Sequence, residues 1–344
     1  MLVNDFVPFK GQHCETTATG SLLKHVGLEL SEPMLFGVGE GLGFIYWDMQ
    51  TMPFPFLGGR NKPQQITRNL ATNLHLCVNF QETASTRTAW KNVQICIDAD
   101  TPVGLQLDSY FLEYFSHKVH FAGHFVAMYG YDETYAYLVD TQPTGSIVRA
   151  TLKNLERARN AKGPMAAKNL SYTMARTNDM PNLAEAAMHA IRHNAEDFLN
   201  PPISNLGYKG IEKAGKQVKA WFTRSHNIGD DLALAAMLME GGGTGGALFR
   251  NMYRDFLGEC ARFVDNRKLV LGYEMFCRIA PQWTEVARLI KQAGETTDQH
   301  YLDQASAALL DLSKQEKEAM GYLAHLDGPS SKIDTNGSLL FLNK

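Results

Sequence analysis

The chain has 344 residues, 44% of them hydrophobic and 20% charged, which excludes a disordered polypeptide and predicts roughly two domains with buried cores. Thirty-three basic against 36 acidic residues give a net charge of −3, so no basic surplus exists to draw nucleic acid or an anionic membrane. Cys14, Cys77, Cys96, Cys260 and Cys277 are an odd number without a CxxC, which excludes a disulfide scaffold and zinc-finger spacings and predicts a reducing compartment.

The opening MLVNDFVPFKGQHC carries Asp5 and Lys10 where a secretory segment would be apolar. No uncharged apolar run approaches the ~20 residues that span a bilayer, so a soluble cytoplasmic protein is expected. A helix is predicted from Cys14, with Ala18, Leu22 and Val26 recurring every four residues and Gly27 as its stop. FGVGEGLGFIYW (36–47) and MPFPFLGG (52–59) are short apolar runs punctuated by Gly and Pro. Gly37, Gly39, Gly41 and Gly43 nearly match GxGxxG, but no strand precedes them and no acidic partner follows about 20 residues on. A compact loop bordering a cleft is expected there instead. TRTAWKNVQICIDAD (86–100) reads as a helix with Trp90, Val93 and Ile97 on one face. PVGLQLDSYF (102–111) reads as a strand, and HFVAMYGYDETYAYLVD (124–140) as two strands around a turn at Asp132-Glu133-Thr134. Helices and antiparallel ribbon are segregated, which predicts an α+β class.

From about residue 180 the periodicity becomes helical. Asn182 and Glu185 resemble a capping box, and Pro201-Pro202 ends that helix. Ile211, Ala214, Val218 and Trp221 form the next apolar face, and Leu248, Met252, Leu257, Cys260 and Val264 another. Leu269–Gly294 is apolar with Pro281 as the expected break, and Tyr301, Ala305, Leu309, Leu312, Met320 and Leu323 mark the last helix. Five or six helices are expected, with DGPSSKIDTNGS and LLFLNK as a tail. The predicted division is a catalytic domain over 1–155, a helical domain over 156–326 and a tail over 327–344.

Cys14 is the cysteine whose setting favours reactivity. At a helix N-terminus, unpaired N–H groups and the dipole lower a thiol pKa and can hold an oxyanion. The competing reading is a small buried hydrophobe, which the other four cysteines fit. A cysteine nucleophile needs a base and an orienting group. His124 begins one strand and Asp140 ends its partner; with the turn near 132, the two face each other and predict an Asp140 bond to His124 Nδ1.

Cysteine at a helix start, then a histidine strand, then an aspartate strand is the chain order of papain-like cysteine enzymes. FKGQHCETTATGSLLKHVGLELSEPMLFGVGEGLGFIYW resembles the opening of the butirosin biosynthesis protein H family, as do PVGLQLDSYFLEY and HFAGHFVAMYGYDETYAYLVDTQP further on. GGGTGGALFRNMYRDFLGECARF resembles the helical companion domain usually fused to it. The resemblance covers nearly the whole chain and implies a papain-like fold and acyl transfer. In the founding member, an aminoacyl group passes from an acyl-carrier-protein thioester to an amine of an aminoglycoside. Carried over, Cys14 accepts the acyl group, His124 is the base and Asp140 holds the imidazole. Papain-like proteases place an oxyanion glutamine six residues before the cysteine, where this chain has Pro8, so Gln12 or the Cys14 N–H takes that role. The expected partners are an acyl-carrier protein or other thioester donor and a small-molecule amine, with no cofactor. A Met-, Leu- and Ala-rich helical half offers surface for a homodimer.

Three other constellations compete. His120 and His124 with His13 lack a carboxylate at recognisable spacing, so no metal site is expected. GGGTGG (241–246) before a helix with Arg250 and Arg254 suggests an anion site for a donor phosphate, against a flexible turn with solvated arginines. His25, His75, His117, His189, His193, His226 and His300 read as core or surface histidines. A peptidase or amidase using the same three residues, and a non-catalytic binding protein on the same fold, are the alternatives to an acyltransferase.

Overall fold

A computed structural model describes residues 1–326 apart from 50, 51, 53, 117, 142–145 and 164; the tail with LLFLNK lies outside the described residues. Helix α1 spans Cys14–His25 and is stopped at Gly27, whose φ is +77°. Its Ala18 and Leu22 are buried as the spacing predicts, but so is every residue from Cys14 to Leu23. The helix is central rather than amphipathic, and its small polar side chains other than Thr17 find partners inside the protein. Thr19 shares its hydroxyl with Thr67 (2.8 Å) and Tyr172 (3.0 Å), and Ser21 donates to the Thr17 carbonyl at 2.8 Å.

Helix α2 (Glu32–Val38) starts with the Ser31 hydroxyl capping Met34 N–H. It leads into the antiparallel hairpin β1 (Leu42–Trp47) and β2 (Phe56–Arg60). The GVGEGLG segment is therefore not a loop throughout: it spans the end of α2, a turn and the start of β1. Next come α3 (Gln65–Asn73), β3 (Cys77–Gln81), α4 (Thr86–Asp98), β4 (Val103–Leu107), β5 (His124–Tyr131), β6 (Tyr135–Val139), β7 (Ile147–Thr151), α5 (Leu152–Arg159) and β8 (Ser171–Ala175). The strands make a six-stranded antiparallel sheet in the order β3-β8-β4-β5-β6-β7, so it takes one strand from beyond residue 155.

The run HFVAM in β5 is buried on both sides, as a central strand covered on two faces must be. Phe125 and Ala127 join the core that contains α1, while Val126 and Met128 join a second core with Val93 and Ile97 of α4 and Leu155 of α5. The sheet thus lies between α1 and the α4–α5 layer.

The helical remainder holds α6 (Leu183–Leu199), α7 (Gly207–Gln217), α8 (Trp221–Arg224), α9 (Ile228–Glu240), α10 (Arg250–Cys260), α11 (Arg267–Thr296) and α12 (Gln299–Ala324) among the described residues. The Ile211–Trp221 and Leu248–Val264 faces are buried as their spacing predicts. Pro281 does not break α11, which runs unbroken through it. The proline is exposed, while Phe276, Ile279, Ala280 and Trp283 around it are buried against α9, α10 and α12. That packing outweighs the one backbone bond Pro281 removes, worth about 3 kcal/mol with its steric clash. Helix α10 meets α2 closely: a Cβ on Gly37 would stand 2.0 Å from Phe256 Cγ, so only glycine fits. None of the described helices is long and apolar enough to cross a membrane.

Candidate active site

Cys14 is the first residue of α1 and 7% exposed. His13 before it is extended (φ −96°, ψ 134°), and the first helical bond runs from Thr17 N–H to the His13 carbonyl at 2.9 Å. The N–H groups of Cys14, Glu15 and Thr16 therefore precede the helical ladder and point out of the helix end. Two carboxylates fix this turn. Glu32 accepts from Gln12 N–H (2.9 Å), His13 N–H (2.8 Å) and the Thr16 hydroxyl (2.8 Å). Glu15, fully buried, accepts from Arg60 (2.9 Å), Gln64 N–H (3.2 Å) and both the N–H and hydroxyl of Thr67 (3.1 Å each). Sequence reasoning misses both clamps, because their partners lie about 20 and 50 residues away with no spacing rule to link them.

His124 and Asp140 do come together. His124 Nε2 lies 2.8 Å from Asp140 Oδ2, with the histidine 7% and the aspartate 1% exposed. The expected pairing differs in two respects. A bulge between Met128 and Gly130 shifts the ribbon, and the Ala127–Val139 register continued outward sets Asp140 opposite Val126. Asp140 is thus a diagonal rather than direct neighbour of His124, still on the same face and within reach. The bond is also made by Nε2, not Nδ1, and Cys14 lies close enough to act on the charge of the ring. Asp140 additionally accepts from the Tyr114 hydroxyl (2.8 Å) and Thr141 N–H (2.6 Å).

Burial on its own would depress the His124 pKa, but the charge and hydrogen bond of Asp140, reinforced by Cys14, raise it to about 10. For Asp140, burial pulls the pKa upward, and the facing imidazolium with the hydrogen bonds wins and holds it low. His13 behaves oppositely: burial, then the Arg60 charge, push its pKa well below the ordinary value, so it stays neutral with Nδ1 3.2 Å from the Gly243 carbonyl.

That contact brings the glycine loop 241–246 onto the Cys14 turn. Gln12 is exposed beside this loop near Gly245, with its main-chain N–H spent on Glu32. Gly246, Ala247, Leu248 and Phe249 run in succession at φ of +84°, +51°, +47° and +74°. Three of these are not glycine, a strain of about 1–3 kcal/mol each. Glu240 accepts from Ala247 N–H at 3.0 Å and Asn251 donates to the Gly245 carbonyl at 3.1 Å, which hold the conformation. The Phe249 ring then stands edge-on to His13 (5.1 Å) and stacks on Phe36 (5.3 Å).

Arg250 cannot hold a donor phosphate. It is fully buried, its guanidinium bonded to Glu316 at 2.8 and 2.9 Å and to the Leu248 carbonyl at 2.8 Å, and it lies 4.5 Å over Trp283. Nor is it a solvated turn arginine: it anchors the strained loop to α12. Arg254 pairs with Asp255 at 2.8 Å.

Among the described residues, His13, His120 and His124 form no metal-binding group. His120 bonds Asp108 at 2.8 Å and stacks on Tyr110 at 3.9 Å. Cys260 is buried and Cys96 and Cys277 half-buried, but Cys77, read as a packing residue, is exposed on β3. A cavity of about 700 Å³ opens beside the site, with Phe44, Trp47, Phe56 and Phe121 in its walls. It shares Arg60 with the Glu15 clamp, and Phe121 packs against Gly123, the residue before His124.

Residues 13–141 match the family model described as butirosin biosynthesis protein H, N-terminal. Residues 153–323 match one described as a domain of unknown function, DUF4872. A search of curated proteins returned no match.

Proposed function

We propose, from the match of residues 13–141 to the butirosin biosynthesis protein H N-terminal family, that the protein is a cysteine-dependent acyltransferase of papain-like fold, with Cys14, His124 and Asp140 as its reacting group. The observation that carries this reading is a cysteine at the start of a buried helix, close enough to act on the charge of a histidine whose Nε2 is held by a buried aspartate.

On this reading the His124 imidazole, its pKa raised to about 10 beside Asp140, accepts the thiol proton of Cys14. Cys14 Sγ attacks the carbonyl carbon of a thioester donor, and the developing oxyanion meets the free N–H groups of the first turn, Cys14 N–H foremost. The carbon–sulfur bond of the donor breaks, its thiolate takes the His124 proton, and a free thiol leaves. Acylation removes the thiolate that helped to hold the proton, so the now neutral imidazole can act as base. An amine attacks the acyl-enzyme, His124 takes its proton, the bond to Sγ breaks, and an amide leaves with the thiolate–imidazolium pair restored.

On this proposal the segment over 1–155 supplies the reacting group and that over 156–326 covers it, the 241–249 loop and Phe249 shielding the acyl-enzyme from water. The donor is a carrier-protein or similar thioester and the acceptor a small-molecule amine seated in the cavity beside Arg60.

Intact-mass measurement after incubation with acyl thioesters tests the reading. An adduct on the wild type that is absent from Cys14→Ser is expected, and its release as an amide on addition of an amine. Release as a free acid alone would make the protein a hydrolase, and no adduct with a broad donor panel would refute the reacting group.

A further inference from the structure

The cavity wall carries a second cluster, built without Cys14, His124 or Asp140. Glu40, 4% exposed, occupies the turn between α2 and β1. Asn73 donates to its Oε1 at 2.8 Å and Asn69 to its Oε2 at 2.9 Å, which aims the carboxylate at α6. There His193 Nδ1 lies 2.6 Å from Oε2, and Asp197 follows one helical turn later on the same face. One ligand atom from each of the three lies within 4.8 Å of the other two. Asn194 lines the same cavity, is 2% exposed, and gives its Nδ2 to the Leu42 carbonyl at 2.8 Å while its Oδ1 has no partner. Two carboxylates and an imidazole nitrogen meet at one corner of the cavity wall, with Asn69 and Asn73 holding Glu40 from behind. Such a corner calls for a cation.

We propose that Glu40, His193 and Asp197 bind a divalent transition-metal cation of the zinc type, with an open coordination position turned toward the cavity. An imidazole beside two carboxylates suits zinc better than magnesium or calcium, which favour oxygen alone. Three protein ligands with a vacant fourth place are the arrangement of sites that also take a ligand. Metal–donor bonds of about 2.0–2.1 Å at tetrahedral angles put ligand atoms about 3.3 Å apart. The ion therefore requires the 2.6 Å contact to open by less than about 1 Å, and His193 to release its Nδ1 proton to solvent. Asn69 and Asn73 orient Glu40 from behind, and Asn73 is itself held 3.1 Å from His189 Nδ1. The site stands whether or not Cys14 transfers acyl groups.

The test is calorimetric titration of the chelator-treated full chain with zinc chloride, with melting temperature as a second readout. Wild type and Cys14→Ser should each bind one equivalent and melt higher with zinc. His193→Ala and Asp197→Asn, at exposed positions, should melt normally without zinc and bind it at least 10-fold more weakly. Unchanged affinity in both variants, loss of binding in Cys14→Ser instead, or no uptake by the wild type would each overturn the assignment.

Discussion

Replacing Asp140 by Asn keeps the shape of the candidate active site and removes one charge. In the wild type, the His124 imidazolium is held from an ordinary 6.5 up to about 10 against a burial effect that works the other way. At about 1.4 kcal/mol per tenfold change, that preference amounts to about 5 kcal/mol, to which Asp140 contributes first and Cys14 second. With a neutral amide in place of the carboxylate, burial prevails and the imidazole holds its proton less readily at neutral pH. Alkylation of Cys14 by iodoacetamide, followed by intact mass, reports thiolate directly. Asp140→Asn should react at least ~10-fold more slowly than the wild type at pH 7. The same linkage acts on folding. A histidine pKa raised in the folded state stabilises fully below 6.5, and that contribution is lost as pH climbs through about 10. Urea midpoints should therefore fall between pH 6 and 10 in the wild type and change less in the variant. A variant with the wild-type alkylation profile would refute the assignment of Asp140 as the group that holds the imidazolium.

Three further outcomes are expected. Arg250→Ala leaves Glu316 buried without its counter-charge and should cost about 3–5 kcal/mol in urea denaturation, whereas Arg250→Met with Glu316→Leu should recover most of that loss. Gly37→Ala drives a methyl into Phe256 and should destabilise by about 1–3 kcal/mol, read as a lower melting temperature. Glu32→Gln weakens the bonds that fix Gln12 and His13, so Cys14 alkylation should slow several-fold while the melting temperature falls by only a few degrees, an effect of about 1–2 kcal/mol.

What the sequence determined by itself is local. The start of α1 at Cys14, its stop at Gly27, the turn at Asp132-Glu133-Thr134 and the apolar faces of α7 and α12 follow from periodicity, capping and turn chemistry, each of which acts over a few residues. The approach of His124 to Asp140 was legible for the same reason, since a hairpin makes a contact across 16 residues local. The bulge at Met128–Gly130 escaped, because an extra residue in a strand leaves the alternation on either side intact. Pro281 reads as a break in the sequence because only neighbouring helices, and not α11 itself, compensate its missing bond. From sequence, Arg250 reads as a solvated turn arginine or an anion ligand, and only Glu316, 66 residues away, sets it within the core. His193 and Asp197 stood four apart and readable on one helix, but Glu40, 153 residues from His193, completes the cluster only in the fold. Charge partners carry no periodic signature and are matched by burial, so it was tertiary structure that decided which ionisable groups face a ligand and which hold the protein together.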